Sequence, residues 1–184
     1  LRNRKRSIKL KVVPSLFLRV QEYLLMSENL SLRAYQPEEF DRACEIRNLT
    51  NESSKERFRK GFSASGQWSD HYQHLAIDLD GQLIGDVQLR KCDFTRPQGA
   101  WDMGIEISPE LQGKGLGTQA LGLVAEYVFK NGAHRVEGST DESNLAMRRA
   151  FEKAGWKFEG VLKALFIEDD VAHDYYSFAI TKFD

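Results

Sequence analysis

One run constrains this chain more than any other: Ser108-Pro109-Glu110-Leu111-Gln112-Gly113-Lys114-Gly115-Leu116-Gly117-Thr118. It follows a strand-like segment, Trp101 to Ile107, and leads into a helix-like one, Thr118 to Lys130. Three glycines at alternate positions free the backbone of Cβ atoms where strand gives way to helix. The N–H groups at a helix start have no partner inside the helix, and the helix dipole puts partial positive charge there. Such a start is a seat for phosphate. Lys114 adds a full charge.

The elements on either side fix the fold class. Leu30 to Tyr35 reads as a strand, and Gln36-Pro37-Glu38-Glu39 as a helix start with proline and acids in its first turn. Asn51 to Lys60 reads as a charged helix stopped by Gly61. Gly61 to Trp68 is expected to be a loop, with Trp68 either packed or lining a substrate mouth. His74 to Asp78 and Gln82 to Phe94, joined by Asp80-Gly81, carry a hairpin signal. Within the second of these runs Gly85 marks a bulge or a close approach. In the strand from Ala100, the residues Trp101, Met103, Ile105 and Ile107 share one face, and Asp102, Gly104 and Glu106 the other. After the glycine turn Leu121, Val124, Ala125 and Val128 recur at helical spacing. A strand, Arg135 to Thr140, precedes a helix starting near Asn144 and ended by Gly155. A long hairpin, Lys157 to Ile167 and Val171 to Ile180, closes the chain. The expectation is a mixed, mostly antiparallel α/β sheet of about six or seven strands flanked by about four helices.

Composition narrows the partners. The 184 residues carry a net charge of -1, but residues 1–25 hold seven bases and one acid and so leave -7 on the rest. We therefore read residues 1–25 as a basic extension and 26–184 as one domain. An acidic body speaks against a nucleic-acid backbone and suits a cationic partner such as an amine. Cys44 and Cys92 have no metal or redox spacing, and the four histidines show no ligand pattern, so no metal is expected. Val12 to Leu18 is too short to span a bilayer and is broken by Pro14. A cytoplasmic location, with no membrane partner, is the expectation.

Two phosphate-binding motifs can be tested and set aside. No G-x-x-x-x-G-K followed by Ser or Thr is present. The dinucleotide fingerprint has a different spacing and needs a βαβ start where this chain has a hairpin. The run instead resembles the acetyl-CoA motif of the GCN5-related N-acetyltransferases (GNATs), Gln or Arg, two residues, then Gly-x-Gly, standing here as Gln112 to Gly117. A second signature of that family falls downstream at Asn144 to Trp156, with Phe151, Lys153, Gly155 and Trp156 in register. The likeness covers Leu30 to about Phe183 and is nearest the branch of ribosomal-protein N-terminal, polyamine and aminoglycoside acetyltransferases.

The resemblance implies roles. Backbone N–H groups of Gly113, Lys114, Gly115, Leu116, Gly117 and Thr118, after Gln112, would hold the pyrophosphate of acetyl-CoA, the cosubstrate. Main chain at Ile105 and Ile107 would pair with the pantetheine arm as an added strand does. Asn144 and Phe151 would border the arm and thioester, with Lys153 near the cofactor. The acceptor is a primary amine on a small molecule or a peptide N-terminus, and Glu106 is the candidate catalytic base. Its alternative role is a solvated carboxylate that only attracts a cation. Relatives often place at position 151 a tyrosine that protonates the leaving thiolate; Phe151 has no hydroxyl, which leaves Ser143, Tyr175 or Tyr176, or an unassisted thiolate. A second reading, prompted by that departure, is a non-catalytic acyl-CoA-binding module. The closing hairpin offers an edge for a homodimer.

Overall fold

A computed structural model describes residues 30–69 and 71–184; the expectations for residues 1–25 and for a domain start at 26 lie outside them. One seven-stranded sheet runs in the order β1-β2-β3-β4-β5-β7-β6. The strands are β1 (Leu30–Arg33), β2 (Tyr72–Leu79), β3 (Gln82–Cys92), β4 (Ala100–Ile107), β5 (Arg135–Asp141), β6 (Lys157–Glu168) and β7 (Val171–Thr181). The helices are α1 (Phe40–Ile46), α2 (Glu52–Ser63), α3 (Leu116–Lys130) and α4 (Leu145–Lys153). Every neighbouring pair is antiparallel except β4 and β5. That parallel pair needs a crossover, and α3 supplies it.

The sheet is covered unequally. On one face α3 and α4 pack Leu121, Val124, Val128 and Phe151 onto Val87, Leu89, Trp101, Met103, Val136 and Phe178. Each such side chain taken fully out of water contributes about 1.5–3 kcal/mol before the opposing entropy. On the other face α1 and α2 bring Ala43, Cys44, Ile46, Phe58 and Phe62 against Tyr35, Ala76 and Leu83. Their contacts fall on β2 and β3. The same face over Gly104 of β4 is open, since a Cβ there would meet nothing within 4 Å.

One sequence expectation is corrected, and two open ones are resolved. Gly61 does not stop α2, which runs on to Ser63. A glycine inside a helix costs only about 1 kcal/mol, and buried Phe62 anchors the last turn. The reason for glycine is the neighbour: a Cβ at position 61 would lie 2.7 Å from the His74 ring. Trp68 packs edge-on against Trp101, with ring centroids 4.6 Å apart, and so supports the covered face of the sheet. Gly85 fulfils both of its readings. It lies opposite Ile77 at a register shift, and a Cβ on it would stand 2.4 Å from the Glu106 carbonyl oxygen.

The outer hairpin contrasts with this core. No β6 residue is buried, and Phe158, Val161, Leu162, Leu165, Phe166 and Ile167 are exposed. Two bulges interrupt its pairing with β7. At the second, the Asp174 carboxylate accepts from Lys163 and, at 2.8 Å, from the Ala164 N–H. Bulges and charges of this kind protect an edge strand from unwanted pairing.

Candidate active site

The glycine turn is shaped by its backbone. A single 3-10 turn, Pro109–Leu111, follows β4, and the Gln112 side chain donates to the Ile107 carbonyl at 2.9 Å, tying the turn to the strand end. Gly113 and Gly115 have φ of +75° and +82°, the left-handed region that L side chains resist. Gly115 is the N-cap of α3, and no side chain caps that helix. Among the described residues the six N–H groups from Gly113 to Thr118 have no partner in the protein. Nor does the protein fill the space around them: a Cβ at 113, 115 or 117 would meet nothing within 4 Å. The small residues here leave room for something outside the chain.

Next to this turn the sheet opens. β4 and β5 pair only from Ala100 with Arg135 to Met103 with Gly138, although both strands continue. Beyond that point the main chain of Gly104 to Ile107 faces a gap on its β5 side. Gly138 closes the paired part: a Cβ on it would stand 3.2 Å from the Phe151 ring tip and 3.3 Å from the Met103 carbonyl oxygen. Phe151 thus ends directly beneath the point of divergence. An unpaired strand edge inside a sheet, running into a cluster of free N–H groups, suits an extended ligand with amides along it and phosphate at one end.

Comparison with known proteins agrees with this geometry. The family model described as Acetyltransferase (GNAT) domain matches residues 27–157. The chain belongs to the GNAT acetyltransferases. It is an acyltransferase enzyme of N-acetyltransferase type. Among curated relatives, the SPbeta prophage-derived uncharacterized N-acetyltransferase YokL of Bacillus subtilis is 26% identical over 165 residues, covering 84% of this chain and 91% of that protein. Spermidine N(1)-acetyltransferase of Escherichia coli is 28% identical over 129 residues, covering 64% of this chain and 68% of that one. Among solved structures, Mycobacterium smegmatis RimJ in complex with CoA-disulfide superposes with a TM-score of 0.67 at 19% identity, covering 84% of this chain and 82% of that one.

Three further residues read from this GNAT sequence, Ile105, Ile107 and Asn144, border the gap. Ile105 and Ile107 lie on its β4 edge. Asn144 caps α4 on the β5 side, its side-chain oxygen accepting from the Met147 N–H at 3.0 Å. Lys114 and Lys153 are exposed. The Phe151 ring is wholly buried, stacked on Phe178 at 4.8 Å and against Trp156 at 5.1 Å. Its ring tip packs under Gly138, where the paired part of β4 and β5 ends. Among the described residues no cluster of three or more His, Cys, Asp or Glu is placed to hold a metal ion, and no helix is long and apolar enough to cross a membrane.

Glu106 projects from the half-open face of the GNAT sheet, and its surroundings were not apparent from sequence. Its strand partner is Asp86, 1% exposed, so the two carboxylates stand on one face. Asp86 accepts from Tyr35 Oη and Arg47 Nη1, each at 2.7 Å, with His74 Nδ1 3.8 Å away. The Gln88 amide bridges outward: with its oxygen toward Arg47 (2.8 Å to Nη2), its nitrogen donates to Tyr72 Oη at 3.0 Å. Arg90 pairs with Asp102 and reaches Tyr72 Oη at 3.4 Å. Burial alone would raise the Asp86 carboxyl, but His74, Arg47 and Tyr35 outweigh it and hold it below the usual range. Glu106 goes the other way. Desolvation first, then the Asp86 charge, push it up, opposed by Arg47. A signal for this lattice did exist in the sequence, an aspartate at position 86 set between apolar Leu83-Ile84 and Val87 in a strand run.

Across the gap, Asp141 at the end of β5 shares the face of Glu106, because Asp102 and Glu137 lie beside one another at the paired end of β4 and β5. Asp141 accepts from the Ser143 N–H at 2.8 Å and lies 3.2 Å from His173 Nδ1; Ser143 and His173 lower its proton affinity. An anionic carboxylate therefore flanks the gap opposite a more basic one.

Proposed function

We propose that this enzyme transfers an acetyl group from acetyl-CoA to a primary amine, and that its acceptor is a polyamine-like polycation. The observation that carries the donor half is the gap between β4 and β5, opening beside six unpartnered N–H groups. Gly113 to Thr118 would hold the pyrophosphate and the Ile105 to Ile107 main chain the pantetheine amides. Bound there, acetyl-CoA supplies a thioester to be attacked. The open spaces at Gly113, Gly115 and Gly117 accord with that fit.

The acceptor would come from the face that carries Glu106. A primary ammonium has a pKa near 10, so it must lose a proton before its nitrogen can attack. Glu106 accepts that proton, directly or through one water, as the nitrogen bonds to the thioester carbonyl carbon. The C–S bond then breaks, CoA leaves as thiolate, and the acylated nitrogen gives up its second proton to water or to the departing sulfur; a thiol pKa of about 8.5 makes the thiolate tolerable without a tyrosine at 151. Asp141 and Glu106 give the face the charge to attract further ammonium groups. A match to spermidine acetyltransferases supports polyamines over the aminoglycosides and peptide N-termini that the sequence also left open.

Release of CoA thiol, measured against spermidine, spermine, an aminoglycoside and N-terminal peptides in one panel, tests the reading. Turnover is expected with the polyamines, and its absence with every amine would refute it. Glu106→Gln should lower kcat about 100-fold or more while leaving acetyl-CoA affinity within a factor of two. A wild-type kcat in that variant would remove Glu106 from the mechanism. For assembly, the exposed apolar side chains of β6 support a homodimer through the outer hairpin; sedimentation of Phe166→Glu against wild type tests it.

A further inference from the structure

We infer that the buried Arg47–Asp86 ion pair acts as a two-signed lever on Glu106, making Asp86 and Arg47 positioning residues for the proton-accepting step. The inference rests on the reading of Glu106 as base given above, and it starts from a pairing that stability alone would not favour. Like charges directly opposite on one face of a sheet repel, yet Asp86 is the direct cross-strand partner of Glu106. A buried ion pair is also weak support for a fold, because desolvating both charges offsets their attraction.

The lattice around the pair is not optimised for stability either. Among the described residues Arg47 Nε and His74 Nδ1 are buried without hydrogen-bond partners. What the arrangement does achieve is placement. Tyr35, following β1, and Arg47, following α1, both converge on Asp86, and the Arg47 guanidinium is further held over the Phe58 ring, 4.7 Å from its centroid. A fixed negative charge thereby stands beneath Glu106, with a fixed positive charge one hydrogen bond further away.

The other groups around Glu106 are already committed. On its own strand Asp102 is paired with Arg90, and on β3 Gln88 is occupied by Arg47 and Tyr72. On β2, His74 faces Asp86. Across the gap Asp141 is engaged by Ser143 and His173. Among the described residues Asp86, directly across from Glu106, and Arg47, hydrogen-bonded to Asp86, are the charges set to act on it. Asp86 makes the Glu106 carboxylate a better proton acceptor, and Arg47 keeps it from being neutralised.

The two members of one ion pair should therefore move Glu106 in opposite directions. The acid limb of kcat/KM against pH, and the carboxyl titration of carbon-13-labelled Glu106 in ligand-free protein, are read for wild type, Asp86→Asn, Arg47→Gln and Arg47→Lys. Asp86→Asn should move both readouts about half to one pH unit lower, and Arg47→Gln should move them higher. Arg47→Lys, which keeps the charge, should stay near wild type. Shifts of the same sign in Asp86→Asn and Arg47→Gln, or no shift in folded Asp86→Asn, would overturn the inference. If Arg47→Gln fails to fold, the contrast between Asp86→Asn and Arg47→Lys decides it. The carboxyl titration separates this inference from the reading it builds on. A lever visible there, with full activity in Glu106→Gln, would leave the lever standing and the base assignment fallen.

Discussion

β4 has two working sides, and they are made of opposite materials. Toward the glycine turn the site is main chain: among the described residues its N–H groups are free, its strand edge is unpaired, and nothing packs against the Cβ positions of its glycines. Toward α1 and α2 it is side chain: Tyr35, Arg47, His74, Asp86 and Gln88, joined by hydrogen bonds and contacts over sequence separations of up to 51 residues. The first side is open and presents a pattern common to any ligand carrying phosphate and amides. The second is buried and specific to the charges this chain places there. A backbone site binds whatever has the right shape; a side-chain lattice can be tuned one residue at a time.

Three measurements sharpen that contrast, beginning with the largest effect. Gly115→Val puts a β-branched residue at a φ of +82° and should weaken acetyl-CoA binding by 10-fold or more, while thermal stability falls by about 1–2 kcal/mol because no neighbour is struck. Calorimetric titration and a melting curve check both parts; unchanged affinity would break the assignment of this turn to the donor.

On the other side of β4 the expected loss is in stability. Tyr35→Phe removes a donor from a buried carboxylate and should cost about 1.5–3 kcal/mol by urea unfolding. Its pH dependence carries a sign. Asp86 is held below its unfolded value, so it contributes stability above the ordinary carboxylate range and loses it as pH falls through the depressed folded value. With one lowering partner gone, the loss in Tyr35→Phe should begin at a higher pH than in wild type. A parallel pH profile would show that the hydroxyl does not act on Asp86.

The smallest effects come from two helical glycines. At Gly61 an added methyl strikes the His74 ring, so Gly61→Ala should destabilise by about 1 kcal/mol, the clash outweighing better helix propensity. At Gly122 in α3 nothing lies within 4 Å, and Gly122→Ala should stabilise by up to about 1 kcal/mol. Equal shifts in the two variants would mean that His74 yields, and that the lattice is looser than its contacts imply.

These differences also explain how much was legible beforehand. The strand, glycine turn and helix around position 115 follow from local rules, since left-handed φ values need glycine and the following apolar spacing needs a helix. Asn144 at a helix start is equally local, and it caps α4 as its chemistry suggests. Gly61 misled because the same residue that ends a helix also lets a ring lie against one. The identity of that neighbour, His74, is a fact of packing. Trp68 was open for the same reason: a loop aromatic takes its role from its partner, which is Trp101.

Sequence by itself determined the glycine turn of this protein, because glycine spacing acts through φ and ψ within a few residues of chain. It also determined the element order and, through the family motif, the class of reaction. Only the tertiary structure decided what stands beneath Glu106. Sheet register sets Asp86 opposite it, and the ends of β1 and α1 bring Tyr35 and Arg47 to that one carboxylate. Coulomb interactions depend on distance through space, and no local pattern in the chain encodes that distance.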